Sequence, residues 1–165
     1  MASIGKSARH LVLALLAAAC GQAATAAWTP KAGDTFHLQL QGTIDTGFDV
    51  VAYDIDLVDT PDSVMQALHA QGRHVVCYFS AGTAEDWRPD YGQFKAADKG
   101  KALGDWPGEY WLDTRSANVR RIMKARLDKA RARGCDAIDA DNVDEHLQDT
   151  GFPLSDATQL DYNRF

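Results

Sequence analysis

Hydrophobic residues fall in short runs divided by turn-forming and acidic stretches along most of the chain. Four of these runs read as strands, near Thr35–Gln41, Asp49–Tyr53, His74–Phe79 and Asp136–Asp139. Each is followed by a helical pattern or an acidic loop, and the spacing between them suits crossovers better than hairpins. That alternation predicts an α/β protein with a parallel sheet. Between the second and third runs, Thr60-Pro61-Asp62 supplies a cap residue and a first-turn proline. Val64, Met65 and Leu68 follow at helical spacing, and Gly72 closes the helix. A longer helix is predicted from about Ser116 to Arg133. It carries Val119, Ile122, Met123, Leu127 and Ala130 on one face and basic residues on the other, with Gly134 as its stop.

The segment from Ser80 to Asp113 breaks this rhythm. It holds Gly82, Gly92, Gly100, Gly104 and Gly108, Pro89 and Pro107, and three of the four tryptophans. It reads as a long loop with a short helix near Tyr91–Asp98, and long ordered loops in compact domains usually carry function. The last residues, Leu160 to Phe165, read as an amphipathic helix with no stop signal, so a truncated domain is expected. Four βα units make either half of a closed eight-stranded barrel or an open sheet. In a closed barrel the active site lies on the loops after the strand C-termini.

Residues 1–27 change the cellular picture. Lys6 and Arg9 precede an apolar run from Leu11 to Cys20, then small residues around Ala24-Thr25-Ala26, the order of a secretory signal peptide. The run is too short for a permanent membrane span, and nothing later in the chain is long and apolar enough for one. Residues 28–165 are then a single exported domain, secreted or periplasmic; lipidation at Cys20 is the alternative. The formal net charge is −6, and loss of the leader removes two basic residues and no acid, which disfavours nucleic acid and anionic membrane as partners. Cys77 and Cys135 remain; export permits a disulfide, while their apolar surroundings suit buried free thiols equally.

Polar residues gather behind the predicted strands: Asp54 and Asp56 after the second, Ser80, Glu85, Asp86 and Arg88 after the third, Asp139, Asp141, Asn142 and Asp144 after the fourth. In a parallel barrel these positions converge at one mouth. Two carboxylates around one cleft suit glycosidic bond cleavage, in which one donates a proton and the other acts as nucleophile or activates water. The plain alternative for each aspartate is a helix cap or a solvated loop charge. Trp87, Trp106 and Trp111, with Tyr78, Tyr91 and Tyr110, offer flat faces for sugar rings or an ammonium group, and as core aromatics they would need no ligand. Trp106-Pro107-Gly108-Glu109 is turn-rich and expected at the surface. The run from Asp139 to Asp144 lacks the glycine and terminal acid of a calcium loop. The histidines show no paired ligand spacing, and no Gly-x-Ser-x-Gly frame surrounds Ser80. No cofactor is expected.

Several stretches together resemble the endo-α-1,4-polygalactosaminidases of glycoside hydrolase family 114. They are Leu38–Gly42, Tyr53–Leu57, Val76–Gly82 with Glu85–Asp90, Trp106–Glu109, Trp111–Arg115, Gly134–Asp136, Asp141–Asp144, Gly151–Leu154 and Leu160–Asn163. The resemblance implies a TIM-type (β/α)₈ barrel, of which this chain supplies about the first half, acting on α-1,4-linked galactosamine-rich polysaccharide. It makes Asp141 the catalytic aspartate at the end of the fourth strand and places the partner glutamate on a later strand. Asp54, Tyr78, Trp111, Asp113, Arg115, Asn142 and Asp144 become the expected sugar-binding wall. Asp54, Asp113 and Asp144 are expected to read the amine, because a carboxylate-lined mouth attracts a cationic sugar.

Overall fold

The computed structural model describes residues 28–165; the leader and Cys20 lie outside them. Four parallel strands form the main sheet: β1 (Phe36–Gln39), β2 (Ala52–Asp56), β3 (His74–Ser80) and, after a long excursion, β7 (Ala137–Asp141). Their order is β1-β2-β3-β7. Helix α1 (Asp62–Ala70) crosses from β2 to β3, α2 (Ala117–Arg133) leads into β7, and α3 (Asp156–Arg164) follows it.

Strand alternation sorts this sheet into two unlike faces. Tyr53, Ile55 and Leu57 of the β2 segment and Val75, Cys77 and Phe79 of β3 turn outward. There they pack with Met65 and Leu68 of α1 and with Val119, Ile122, Met123 and Ala130 of α2. Asp54, Asp56, Tyr78, Ser80, Asp139 and Asp141 occupy the alternate, inner positions, with Tyr78 paired to both Asp56 and Asp139 in register and Ser80 paired to Asp141. The disulfide joins Cys77 on β3 to Cys135 just before β7, with Cα atoms 5.9 Å apart, which decides between the two readings of these cysteines.

The second strand starts and ends three residues later than the sequence pattern suggests. Asp54 and Asp56 therefore lie inside β2, and Asp139 inside β7. Aspartate disfavours strand interiors, but Asp56 has an arginine to pair with and Asp54 faces another carboxyl, so neither sits as an exposed turn residue. Proline at position 61, not Thr60, occupies the cap of α1 and makes no side-chain cap bond. In α2 the expected cap holds: the Ser116 hydroxyl accepts from the Asn118 N–H, and Gly134 adopts φ 84°. Arg126 departs from the expected basic outer face. It is buried, donates to the Ser80 carbonyl at 2.7 Å and forks onto Asp90 at 2.8 Å. That clamp ties helix α2 to the end of β3 and to the segment beyond it.

The Ser80–Asp113 segment is more ordered than a loop. It contains β4 (Thr83–Glu85), β5 (Lys99–Ala102) and β6 (Glu109–Leu112), an antiparallel sheet of order β4-β6-β5. Two 3₁₀ turns, Tyr91–Gln93 and Ala96–Asp98, replace the expected short helix. Strands of three and four residues between glycines leave little periodicity to detect. This small sheet stands over the C-terminal ends of β3 and β7.

Candidate active site

Asp141 is the last residue of β7, and the chain turns sharply behind it. Asn142 adopts φ 59°, the one positive φ among the described non-glycine residues. That conformation costs an L-residue energy and concentrates at functional sites. Gly82 makes the turn possible, because a side chain there would overlap the Asn142 carbonyl. The Asn142 N–H donates to Asp141 Oδ1 at 2.7 Å and its Nδ2 to Oδ2 at 3.3 Å. The Tyr78 hydroxyl donates to Oδ2 at 2.8 Å. Three donors thus hold the carboxylate in one orientation at the mouth of the sheet. Burial, then the bond to Asp141, pushes the Tyr78 phenol far above its ordinary range, so it stays a donor.

Behind Asn142 a hydrogen-bonded row runs through the small sheet. Nδ2 of Asn142 donates to Ser80 Oγ at 3.0 Å; Ser80 Oγ meets Thr83 Oγ1, and Thr83 Oγ1 donates to Glu109 Oε1. Beside it lies an arginine fork. Arg88 donates to Asp56 at 3.0 and 2.6 Å and to Glu85 at 2.9 Å, and reaches exposed Asp59 at 3.2 Å. Burial would raise the Asp56 carboxyl, but the Arg88 bonds and the Asp59 and Val58 amides outweigh it and hold it below the usual range. Asp141, Tyr78, Glu109 and the fork line a cleft of about 210 Å³, flanked by Leu40, Leu103, Trp87 and Trp106. The two tryptophans are 50% and 57% exposed, so their rings border open space.

Of the expected wall, the cleft brings Tyr78 and Asn142 to Asp141 and leaves the others apart. Asp54 lies lower on the inner face of β2, its Oδ1 buried without a partner. Burial, with the negative charge and hydrogen bond of Asp139, pushes it up to about 7. Trp111 is buried opposite Thr83 in the small sheet. Asp113 is bound to Arg115 by a fork at 2.8 and 2.9 Å, and Arg115 also reaches the Pro153 carbonyl. Asp144 accepts from Gln148 at 3.0 Å on an exposed loop. Tyr91 and Tyr110 face each other in tilted contact away from the cleft. Glu109 was visible in the sequence only as the end of a turn-rich motif. Its place in the cleft follows from the β4–β6 pairing, which no local signal announces.

Fold and cleft together define a β/α-barrel protein with a carboxylate-lined, tryptophan-flanked mouth. The chain belongs to glycoside-hydrolase family GH114, whose profile matches residues 17–165. It is 47% identical to Aspergillus fumigatus Ega3, solved in complex with galactosamine, at a TM-score of 0.80 over 86% of this chain. The match covers 57% of the Ega3 chain, and the four parallel strands here are accordingly about half of the barrel. The glycoside hydrolase domain of PelA from Pseudomonas aeruginosa shares the fold at 14% identity, with a TM-score of 0.58 over 78% of this chain and 49% of the other. No curated protein sequence matches.

Proposed function

We propose that this protein is an exported glycoside hydrolase that cleaves α-1,4-linked galactosamine-containing polysaccharide, with Asp141 as one of its two catalytic carboxylates. What carries the reading is the setting of Asp141. It is a carboxylate at a strand C-terminus, oriented by Tyr78 and Asn142, above a cleft walled by two exposed tryptophans, in a chain 47% identical to a protein solved with galactosamine. Glycosidic cleavage needs a proton donor and a nucleophile or base on opposite sides of the bond. The second acid is expected from a strand following β7. The indoles of Trp87 and Trp106 offer apolar faces to the sugar rings, while Asn142 and Tyr78 keep Asp141 aimed at the anomeric carbon. Export is supported by the charged, apolar and small-residue order of residues 1–27 and by the Cys77–Cys135 disulfide, which persists in oxidising compartments. Among the described residues no helix is long and apolar enough to cross a membrane.

The test is release of oligosaccharides from a de-N-acetylated galactosamine polymer by the complete protein, wild type against Asp141→Asn. Release by wild type and a loss of at least about a thousandfold in the variant is expected. Equal release by both would discard the catalytic role, and binding without release by either would make the cleft a sugar-binding site.

A further inference from the structure

The hydrogen-bonded row behind Asn142 ends on a carboxyl oxygen, and that end decides the sense of every bond in it. Ser80 and Thr83 are fully buried and Glu109 is 5% exposed. Among the described residues neither hydroxyl has a partner outside the row. Each hydroxyl has a single proton to donate. Thr83 donates its proton to Glu109 Oε1. The contact between Ser80 Oγ and Thr83 Oγ1 is then a donation by Ser80. With its proton turned to Thr83, Ser80 Oγ faces Asn142 as an acceptor, and the Nδ2 side of the amide answers it at 3.0 Å. That same Nδ2 lies 3.3 Å from Asp141 Oδ2 and 3.5 Å from Glu109 Oε1. With the amide turned over, its carbonyl oxygen would face two carboxylates and a lone pair. Asp141 would lose one of its donors, keeping those from Tyr78 and the Asn142 N–H, and would meet an acceptor in its place.

From this row we propose that Glu109 is a positioning residue for Asp141: through Thr83 and Ser80 it fixes which side of the Asn142 amide faces the catalytic carboxylate. The proposal rests on the hydrolase reading above and adds to it a group that acts without touching the sugar. What Glu109 supplies is an acceptor oxygen at the end of the row; its charge is not the working feature. Glutamine at this position keeps such an oxygen, whereas methionine, of similar length, does not. Without an acceptor at position 109 the row is free to run backward. The Thr83 proton turns to Ser80, the Ser80 proton turns to Asn142, and the amide answers with its oxygen, so its NH2 group leaves Asp141. The frame around the row is held independently of its protons. Arg126 donates to the Ser80 carbonyl at 2.7 Å, and Thr83 is paired with Trp111 across β4 and β6. Reversal of the row therefore changes donors and acceptors while the strands stay in place.

Hydrolysis of a de-N-acetylated galactosamine polymer by the complete protein, with kcat and KM measured separately, tests the proposal. Glu109→Met is expected to lower kcat about ten- to a hundredfold and to change KM less than about threefold, because misdirecting a reacting group acts on the chemical step. Glu109→Gln is expected to recover kcat to within about threefold of wild type, since the acceptor oxygen is kept. In an Asn142→Ala background Glu109→Met is expected to add no further loss, because the amide it directs is gone. Wild-type kcat in Glu109→Met, an effect confined to KM, a Glu109→Gln as impaired as Glu109→Met, or a loss that persists in full in the Asn142→Ala background each overturns the role of Glu109 and leaves the hydrolase reading standing. If Glu109→Met does not fold, Thr83→Val interrupts the same row and Thr83→Ser restores it; a lower kcat in Thr83→Val alone supports the proposal, and equal values in the two variants overturn it. A wild-type protein that releases nothing overturns the hydrolase reading and this proposal with it.

Discussion

Glu85 and Glu109 stand directly opposite each other across the antiparallel pair of β4 and β6. Like charges in that position repel. The protein separates their fates: Glu85 is bound by Arg88 at 2.9 Å, with Arg126 a further 3.8 Å away, while Glu109 has a hydroxyl and an amide for company and a raised pKa. One carboxylate is thereby tied to two arginines, and the other faces the cleft with none.

Arg88→Met should expose how much depends on that fork. Its removal leaves Asp56 buried without a cation and Glu85 with only Arg126 at 3.8 Å, and strengthens the repulsion toward Glu109. A loss of about 3–5 kcal/mol is expected by urea denaturation at neutral pH. The deficit should shrink as pH falls, because the orphaned carboxylates can then take up protons.

Asn142 combines a strained backbone with two useful bonds. Asn142→Ala keeps the φ penalty and loses the Nδ2 contacts to Asp141 and Ser80, so it should cost about 1–3 kcal/mol. Asn142→Gly should recover about 1 kcal/mol of that by relieving the backbone alone. Denaturation midpoints of the two variants measured side by side decide the point; equal losses would mean the backbone carries no strain.

Asp54 sets a pH dependence with a definite sign. Its carboxyl is raised from 3.8 to about 7, so between those values the folded protein holds a proton that the unfolded chain has released. Its contribution to stability is complete below the lower value and is lost as pH rises through the upper one. Because the group is partly solvated, the loss from about pH 4 to pH 7 should be on the order of 1–2 kcal/mol. Asp54→Asn should flatten that slope in thermal melts taken across the range.

Cys135→Ser removes a bridge spanning 58 residues of sequence. Constraint of the unfolded chain by a loop of that length is worth about 2–4 kcal/mol. A reducing agent should lower the wild-type melting temperature by the same amount as the substitution and leave the variant untouched. A wild-type protein indifferent to reductant would show that the bridge contributes nothing.

The alternation of strands and helices was legible along the chain, because apolar runs and the capped amphipathic α2 are local signals that survive folding unchanged. The sequence also marked Asp141, Asn142 and Tyr78 through a family resemblance spread over most of the chain. The small antiparallel sheet escaped detection, since its strands are too short for a period to show. Asp54 and Asp56 were read as strand terminators because an acid inside a strand makes sense only once its partner is known, and those partners, Asp139 and Arg88, are distant in sequence. The pairing of Cys77 with Cys135, the inward turn of Arg126 and the meeting of Glu85 with Glu109 were likewise decided by tertiary structure alone. Charge pairing and burial depend on which surfaces the fold brings together, and no local pattern encodes that.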